Sequence, residues 1–234
     1  MKKLGIIGGM GPEASCFFYQ RITARTKASK DQEHIDIVLL SHATMPDRTH
    51  AILTGEKQEF LQAIEKDVRA LETLGVANIA IPCNTSHYFL KDIQALTDIP
   101  VINMVEESIK YVTYLHPGIQ KVGIMGTDGT LQAGTYYRAG RKYGVQAVAP
   151  HEEAQRDVMS LIYDDVKSGK RGDRSKFDRA YADLKAQGCE AVILACTEIS
   201  VFKEHYPVPA DCVDAMDVLV MESIFRSEAQ IKDA

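Results

Sequence analysis

Short apolar segments alternate along the whole chain with longer segments of helical periodicity. The apolar segments are rich in Val, Ile and Leu and lie at residues 4–7, 35–40, 77–81, 101–102, 122–125, 145–148, 191–195 and 212–213. Between them, apolar residues recur with a period near 3.6, as they do within residues 60–74. Continuous apolar strands separated by helices are typical of a parallel sheet that is covered on both faces. The pattern therefore predicts an α/β fold.

The two halves of the chain resemble each other in sequence. Leu-Gly-Ile-Ile-Gly-Gly at residues 4–9 is similar to Val-Gly-Ile-Met-Gly-Thr at residues 122–127, and about 70 residues after each comes a strand that ends in cysteine. This self-similarity indicates an internal duplication, although βα units also resemble one another by chance. We therefore predict two pseudosymmetric, Rossmann-like lobes with parallel sheets, over residues 1–115 and 116–234, with the option that the C-terminal helix crosses over.

Composition narrows the class of protein and its partners. The chain has 234 residues, 45% of them hydrophobic and 25% charged, with a formal net charge of -5. These values exclude a disordered chain and argue against nucleic acid or a membrane surface as a partner. No apolar segment approaches the roughly 20 residues of a membrane-spanning helix or resembles a signal peptide. The five cysteines contain no CxxC pair, so we expect a reducing, cytoplasmic location.

Cys83 and Cys196 each follow a predicted strand and precede a predicted helix. The next residues, Asn84, Thr85 and Thr197, are types that cap helix N-termini. Ligands of open α/β sheets bind at the carboxyl ends of the strands, and a helix N-terminus lowers the pKa of a cysteine from about 8.5. The position therefore favours a cysteine that works as a base. A buried, inert cysteine is the alternative interpretation.

The duplication makes these two cysteines counterparts. If the lobes face each other about a pseudo-two-fold axis, both thiols reach one interlobe cleft, which we predict to be the active site. Two thiols on opposite sides of a small ligand suit proton transfer at a carbon stereocentre, because one removes a proton while the other delivers one to the opposite face. A redox disulfide is the competing chemistry.

Backbone amides at the predicted helix starts are candidates to bind an α-carboxylate, with helix capping as an equally good explanation. The residues concerned are Asn84, Thr85, Thr197 and Glu198. The first loop, residues 9–14, matches the dinucleotide-binding pattern Gly-x-Gly-x-x-Ala, but the acidic residue expected after the second strand is missing. We therefore predict that Pro12 is the first helical residue and that the glycines allow a carboxylate to approach.

Two basic residues and the histidines each allow more than one interpretation. Arg48, after the second strand, is able to clamp a carboxylate or to form a surface ion pair with Asp47 or a neighbouring residue. Lys167 lies one turn before Gly169 and is typical of a charge that complements a helix end. No histidine spacing indicates a metal site, and His87 is expected to pack or to face solvent. No motif implies a cofactor.

These motifs together resemble the aspartate/glutamate racemase superfamily, and most closely its pyridoxal-independent aspartate racemase branch. The resemblance covers essentially the whole chain. It is carried by Gly-Gly-Met-Gly-Pro at residues 8–12, Pro-Asp-Arg-Thr at 46–49, Pro-Cys-Asn-Thr-Ser-His at 82–87 and Cys-Thr-Glu at 196–198.

The resemblance implies a cofactor-independent, two-base racemase that is commonly dimeric, with Cys83 and Cys196 as proton acceptor and donor. It also implies that Arg48 and Lys167 bind the distal carboxylate of the substrate. Further residues of this chain match positions that line the ligand site of the family. These are Met10, Asn84, Thr85, Thr127, Thr197 and Glu198.

The resulting prediction is a homodimeric racemase that interconverts L- and D-aspartate. Dual aspartate/glutamate or broader specificity is the alternative, because one methylene changes binding by only about 1–3 kcal/mol. A non-catalytic protein that binds a dicarboxylate would need Arg48 and Lys167 but not two thiols. A thiol oxidoreductase would instead form a reversible disulfide.

Overall fold

The computed structural model describes residues 1–232 of the chain. Their contacts divide the chain into two compact units. The first unit comprises Met1–Met104 together with the C-terminal segment that starts at Leu219, and the second comprises Val105–Val218. The first unit thus ends before the predicted boundary at residues 115 and 116, and it includes the C-terminal segment.

The first unit contains a parallel sheet with the strand order β2-β1-β3. Val101 adds an isolated parallel bridge to Ile79 of β3, beyond the last strand. The strands are β1 (Leu4–Gly8), β2 (Ile37–Ser41) and β3 (Asn78–Ala80). The α-helices of this part of the chain are α1 (Pro12–Arg25), α2 (Arg48–Thr54), α3 (Gln58–Thr73) and α4 (Leu90–Gln94), with 3-10 helices at Asp31–Glu33 and Thr85–Phe89.

The second unit contains a parallel sheet with the strand order β5-β4-β6-β7. Its strands are β4 (Lys121–Met125), β5 (Gln146–Val148), β6 (Ala191–Leu194) and β7 (Cys212–Asp214). The remaining helices of the chain are α5 (Met104–Leu115), α6 (Asp128–Ala133), α7 (Thr135–Lys142), α8 (Glu152–Ser160), α9 (Arg174–Ala186), α10 (Thr197–His205) and α11 (Ala215–Arg226), with a π-helical turn at Leu161–Asp165 and a 3-10 turn at Val166–Ser168. The residues of α11 from Leu219 on belong to the first unit.

The two sheets share one topology, which confirms the duplication predicted from the sequence. In each sheet the first strand pairs with the second on one side and with the third on the other, and a further parallel pairing lies beyond the third. The packing repeats as well. A Cβ on Gly5 of β1 would lie 2.9 Å from Leu71, and one on Gly123 of β4 would lie 2.8 Å from Leu184. Each half therefore has a glycine where a helix leucine packs closely against its central strand.

Most of the predicted elements are confirmed, with shifted ends. The predicted first helical residue, Pro12, begins α1. Helix α3 buries Phe60, Ile64, Val68 and Leu71, as its periodicity predicted. No helix within residues 1–232 is long and apolar enough to cross a membrane.

Candidate active site

Cys83 lies three residues beyond β3, where the chain has left the sheet. Its side chain is buried, and its backbone N–H donates to the carbonyl of Ile81 at 2.7 Å. The prediction that Asn84 or Thr85 caps an α-helix here is wrong for Asn84. The element that follows is a five-residue 3-10 helix, and the Asn84 side chain makes no capping hydrogen bond to it. The Cys83 thiol therefore lies at the start of a short turn and not of a full helix.

His87 fixes the backbone of the cysteine loop from inside the first unit. Its Nδ1 lies 2.9 Å from the carbonyl oxygen of Cys83, and its Nε2 accepts a hydrogen bond from the N–H of Met104 at 3.1 Å. Burial lowers the pKa of His87, so the ring is neutral, and Nδ1 is the nitrogen that donates to Cys83. The packing role expected for His87 is thus confirmed, but the sequence did not indicate that it holds the Cys83 carbonyl.

The glycine loop after β1 is shaped by close packing. Gly9 has φ +90°, and a Cβ there would lie 2.4 Å from the backbone of His42. Its N–H donates to Ser15 Oγ at 2.8 Å, which fixes the loop against α1. The buried Met10 accepts a hydrogen bond from Ser86 Oγ to its sulfur at 3.4 Å. The loop is therefore joined to the segment that carries Cys83, while its contact with a carboxylate stays a prediction.

Arg48 begins α2, and its guanidinium has no carboxylate partner among residues 1–232. One nitrogen, Nη1, donates to the carbonyls of Met45 and Pro46, at 3.3 and 3.0 Å. The buried Nε has no hydrogen-bond partner. The ion pair with Asp47 that the sequence left open is not formed, because Asp47 caps α2 by accepting the N–H of His50 at 2.7 Å.

Cys196 lies two residues beyond β6 and directly precedes α10, and its thiol donates to Glu198 Oε2 at 2.9 Å. Burial, and then the Glu198 carboxylate, raise the pKa of Cys196 well above its usual range. The prediction that the helix N-terminus lowers this pKa is therefore wrong, because both effects outweigh the helix. The Thr197 hydroxyl also donates to Glu198 Oε2, at 3.3 Å. Cys196 is accordingly a protonated thiol held against a carboxylate.

Lys167 pairs with the other oxygen of the same carboxylate. Its Nζ lies 3.0 Å from Glu198 Oε1 and 5.3 Å from the centre of the Tyr163 ring. Burial is the largest single effect and lowers the pKa of Lys167, but the neighbouring groups, with the Glu198 carboxylate foremost, together raise this pKa above its usual value. Gly169, with φ +82°, ends the turn as predicted. Lys167 is thus an ion-pair partner of Glu198 as well as a residue near a helix end.

Thr127 follows β4 at the carboxyl edge of the second sheet. Its hydroxyl accepts the N–H of Thr130 at 3.1 Å and caps α6. Its side chain is buried. Thr127 therefore caps a helix, and its predicted contact with a ligand stays a prediction.

Each unit brings several predicted residues together. In the first unit, Met10 and Cys83 belong to one apolar cluster that also includes Met45, whose carbonyl binds Arg48. In the second unit, hydrogen bonds and an ion pair join Cys196, Thr197, Glu198 and Lys167. The sequence named Glu198 as a backbone donor and missed its carboxylate. The spacing Cys-x-Glu was the available signal, because it places the two side chains in the first turn of one helix.

Several racemases are similar to this chain in sequence or in fold. Aspartate racemase from Picrophilus torridus matches with a TM-score of 0.83 and 28% identity, covering 99% of this chain and 96% of that one. A broad-specificity amino-acid racemase of Bacillus subtilis is 24% identical over 227 residues, 94% of this chain and 96% of that protein. Glutamate racemase from Francisella tularensis, solved with D-glutamate, has the same fold at a TM-score of 0.60 and 17% identity, over 97% and 82% of the two chains.

The match to a family extends over most of the chain. The sequence model of the Asp/Glu/Hydantoin racemases matches residues 7–222, which include both cysteine motifs and the residues around them. The resemblance inferred from the motifs is thereby confirmed. The chain belongs to the Asp/Glu/Hydantoin racemase family.

Proposed function

We propose that this protein interconverts L- and D-aspartate without a cofactor, with Cys83 and Cys196 as the two acid–base groups at Cα. The observation that carries the proposal is the hydrogen bond of 2.9 Å from the Cys196 thiol to the Glu198 carboxylate. It pairs a proton donor with a group that is able to take the same proton. An inert buried cysteine has no need of such a partner.

The Cys196–Glu198 pair supports proton transfer in both directions. In one direction the thiol gives its proton to the Cα carbanion and becomes a thiolate. In the other, the thiol proton passes to Glu198, and the thiolate then removes the proton from Cα. Because the thiol is protonated in the resting protein, the second direction needs an acceptor, and Glu198 is within direct reach.

Cys83 is assigned to the second base because of its equivalence to Cys196. The two cysteines follow β3 and β6, which hold the same place in two sheets of the same topology. In a two-base racemisation, one group removes a proton from one face of Cα and a second group delivers a proton to the other face. The carbonyl of Cys83 is held by His87, which supports a fixed position for this loop.

Arg48 is assigned to the distal carboxylate of the substrate. Its guanidinium lacks a carboxylate partner among the described residues, and its buried Nε lacks any hydrogen bond. A bound carboxylate would supply the missing acceptor through a charge-assisted hydrogen bond. The α-carboxylate and amino group are assigned to the remaining residues of the motifs. These are Met10, Asn84, Thr85, Thr127 and Thr197. A homodimer is proposed on the resemblance alone.

Broader specificity is the second candidate function. It is favoured by the similarity, at 24% identity over 94% of this chain, to a broad-specificity amino-acid racemase. In that case Arg48 would improve the binding of aspartate without being required for turnover of other amino acids.

Deuterium incorporation at Cα tests the reaction and its substrate together. Purified protein is incubated in heavy water with L-aspartate, L-glutamate or L-alanine, and the Cα proton signal is followed by NMR. We expect rapid exchange and formation of the D-isomer with aspartate, and little with alanine. Equal exchange of all three would support the broad-specificity function, and no exchange with any amino acid would refute a racemase.

Cysteine variants test the two-base assignment. Cys83→Ala and Cys196→Ala should each abolish racemisation, whereas the matched controls Cys16→Ser and Cys212→Ser should retain it. Near-normal racemisation in either alanine variant would remove that cysteine from the mechanism. Activity that resists chelators and pyridoxal scavengers is expected for a reaction that uses only these residues.

A further inference from the structure

We propose that Ser200 and Asp214 are positioning residues for Cys196. In the second unit they have the role that His87 has for Cys83 in the first unit. This inference rests on the proposed function, because it takes Cys196 as a group that reacts with the substrate. Its starting point is the hydrogen bond of 2.6 Å from the Ser200 hydroxyl to Asp214 Oδ1, which joins helix α10 to the end of strand β7.

Ser200 belongs to the helical turn that closes on the backbone of Cys196. The N–H of Ser200 donates to the carbonyl of Cys196 at 3.4 Å, and the N–H of Ile199 donates to the same oxygen at 3.0 Å. The backbone of Ser200 therefore holds Cys196, while its side chain binds a group outside the helix. Any movement of Ser200 would also move the Cys196 carbonyl.

Asp214 connects this turn to the start of the next helix. It is the last residue of β7, and its side chain is fully buried. Its Oδ1 accepts the Ser200 hydroxyl and also the N–H of Met216 at 2.9 Å, in the first turn of α11. Its Oδ2 lies 3.6 Å from Lys203 Nζ. One buried carboxylate therefore binds the first turns of two consecutive helices.

His87 makes the equivalent connection in the first unit. It lies four residues after Cys83, as Ser200 lies four residues after Cys196. Its Nδ1 donates to the Cys83 carbonyl at 2.9 Å, and its Nε2 accepts the N–H of Met104, the first residue of α5, at 3.1 Å. In each unit, the fourth residue after the cysteine thus joins the cysteine carbonyl to the N-terminus of a later helix.

The two connections are made by different side chains. An imidazole has a nitrogen on each side of its ring, so His87 alone reaches both of its partners. A serine has one short hydroxyl, so Ser200 reaches the N–H of Met216 only through Asp214. Burial of a carboxylate is costly, and here it completes the connection. Because unlike side chains make the same connection, we infer that the connection itself is needed at each cysteine.

The anchored turn also carries the partner of the Cys196 thiol. Glu198, whose Oε2 accepts that thiol at 2.9 Å, lies in the same first turn of α10. A displacement of a reacting group by about 1 Å lowers a rate about 10²-fold. Loss of the Ser200 anchor should therefore lower kcat more than it changes KM, because the contact assigned to Arg48 is made in the other unit.

Alkylation of the two cysteines tests the inference without any racemase activity. The full-length protein is treated with iodoacetamide, and the Cys83 and Cys196 peptides are followed by mass spectrometry. Cys196 is only 7% exposed, so its labelling requires local opening. Ser200→Ala removes a hydrogen bond to a charged group, and Cys196 should be labelled about 10- to 100-fold faster, with Cys83 unchanged. Acceleration that is absent at Cys196, or equal at both cysteines, would overturn the inference.

Ser223→Ala is the matched control. Ser223 is as fully buried as Ser200, but its hydroxyl donates to the Leu219 carbonyl of its own helix, at 2.7 Å. Its replacement should leave the labelling of both cysteines unchanged, and circular dichroism should show that both alanine variants are folded. Equal acceleration of Cys196 labelling in Ser223→Ala would mean that any lost buried hydroxyl loosens the protein, and would refute a specific role for Ser200.

Two variants of Asp214 separate the connection from the charge. Asp214→Asn keeps an oxygen that is able to accept both hydrogen bonds, whereas Asp214→Leu removes it at a similar size. Asp214→Leu should therefore speed Cys196 labelling as Ser200→Ala does, and Asp214→Asn should restore most of the original rate. Equal labelling in the two Asp214 variants would show that the charge is what matters, and would refute the inference.

Exchange measurements then relate the anchor to the reaction. With aspartate, Ser200→Ala should lower kcat at least about tenfold, with a smaller change in KM, and Ser223→Ala should leave both unchanged. An unchanged kcat in Ser200→Ala would overturn the positioning role. If the parent protein shows no exchange while the labelling of Cys196 behaves as expected, the racemase proposal fails and the anchoring of Cys196 by Ser200 and Asp214 stands.

Discussion

Replacing Glu198 with glutamine should make Cys196 more reactive and the protein less active. The change keeps the size of the side chain and removes the negative charge of the carboxylate, whose Oε2 accepts a hydrogen bond from the Cys196 thiol at 2.9 Å. After burial, that charge is the largest cause of the raised pKa of Cys196, so its loss lowers the pKa. Lys167, left without its partner at 3.0 Å, then favours the thiolate further. The same change removes the group that is proposed to receive the thiol proton.

The two effects have different expected sizes. A hydrogen bond to a charged group contributes about 1.5–3 kcal/mol, and about 1.4 kcal/mol corresponds to one pKa unit. The pKa of Cys196 should therefore fall, and labelling near pH 8 should become about 10 to 100 times faster. Loss of a positioned general acid or base typically costs about 10²- to 10⁴-fold in rate, and racemisation should slow accordingly.

Both quantities are measured on one preparation. Iodoacetamide labelling of the Cys196 peptide gives thiol reactivity as a function of pH. Circular dichroism of the amino acid and NMR of its Cα proton give the rate of aspartate racemisation. Glu204→Gln, further along α10, is the matched control for a lost carboxylate on this helix. Faster labelling with undiminished racemisation would refute the role of Glu198 as proton acceptor. Slower labelling would refute the electrostatic reasoning itself.

Three further outcomes are expected from the first unit. Arg48→Met should reduce kcat/KM for aspartate about 10- to 100-fold, the loss of one charge-assisted interaction of about 1.5–3 kcal/mol, and an unchanged value would remove Arg48 from substrate binding. Gly9→Ala should lower the Tm, because its Cβ would lie 2.4 Å from the His42 backbone at φ +90°, and an unaltered Tm would show that the loop relaxes. Because burial lowers the pKa of His87 from 6.5, the unfolded chain takes up a proton first. Wild type should therefore lose stability relative to His87→Gln as pH falls below that value, by up to about 1.4 kcal/mol per pH unit in urea titrations, whereas parallel profiles would contradict a neutral His87.

Local patterns in the sequence were sufficient for the scaffold. Apolar runs located every strand, Pro12 marked the start of α1, and the duplicated segments indicated two sheets of one topology. These features depend on residues that are close in sequence or on a repeat within it. The glycine pattern was recognised, but its cause at Gly9 is contact with His42, which only the fold reveals.

The electrostatics of the candidate site could not be predicted in the same way. Lys167 and Glu198 are far apart in sequence, and only the fold brings Lys167 Nζ within 3.0 Å of Glu198 Oε1. The pKa of Cys196 was predicted in the wrong direction because burial and a neighbouring carboxylate act against the helix N-terminus. Asn84 has the right residue type for a cap, but the turn that follows is 3-10.

The two halves of the chain differ in the groups that surround the two cysteines. In the first unit a neutral imidazole binds the carbonyl of Cys83, and in the second unit a carboxylate binds the thiol of Cys196. The L- and D-enantiomers of the substrate have equal free energies, so the equilibrium constant of a racemisation is one. The value of kcat/KM must therefore be the same in both directions. The different surroundings of the two cysteines can therefore change kcat and KM for each enantiomer, but not the ratio kcat/KM. The two enantiomers should accordingly show different kcat values, different KM values and different solvent isotope effects, with ratios of kcat to KM that agree.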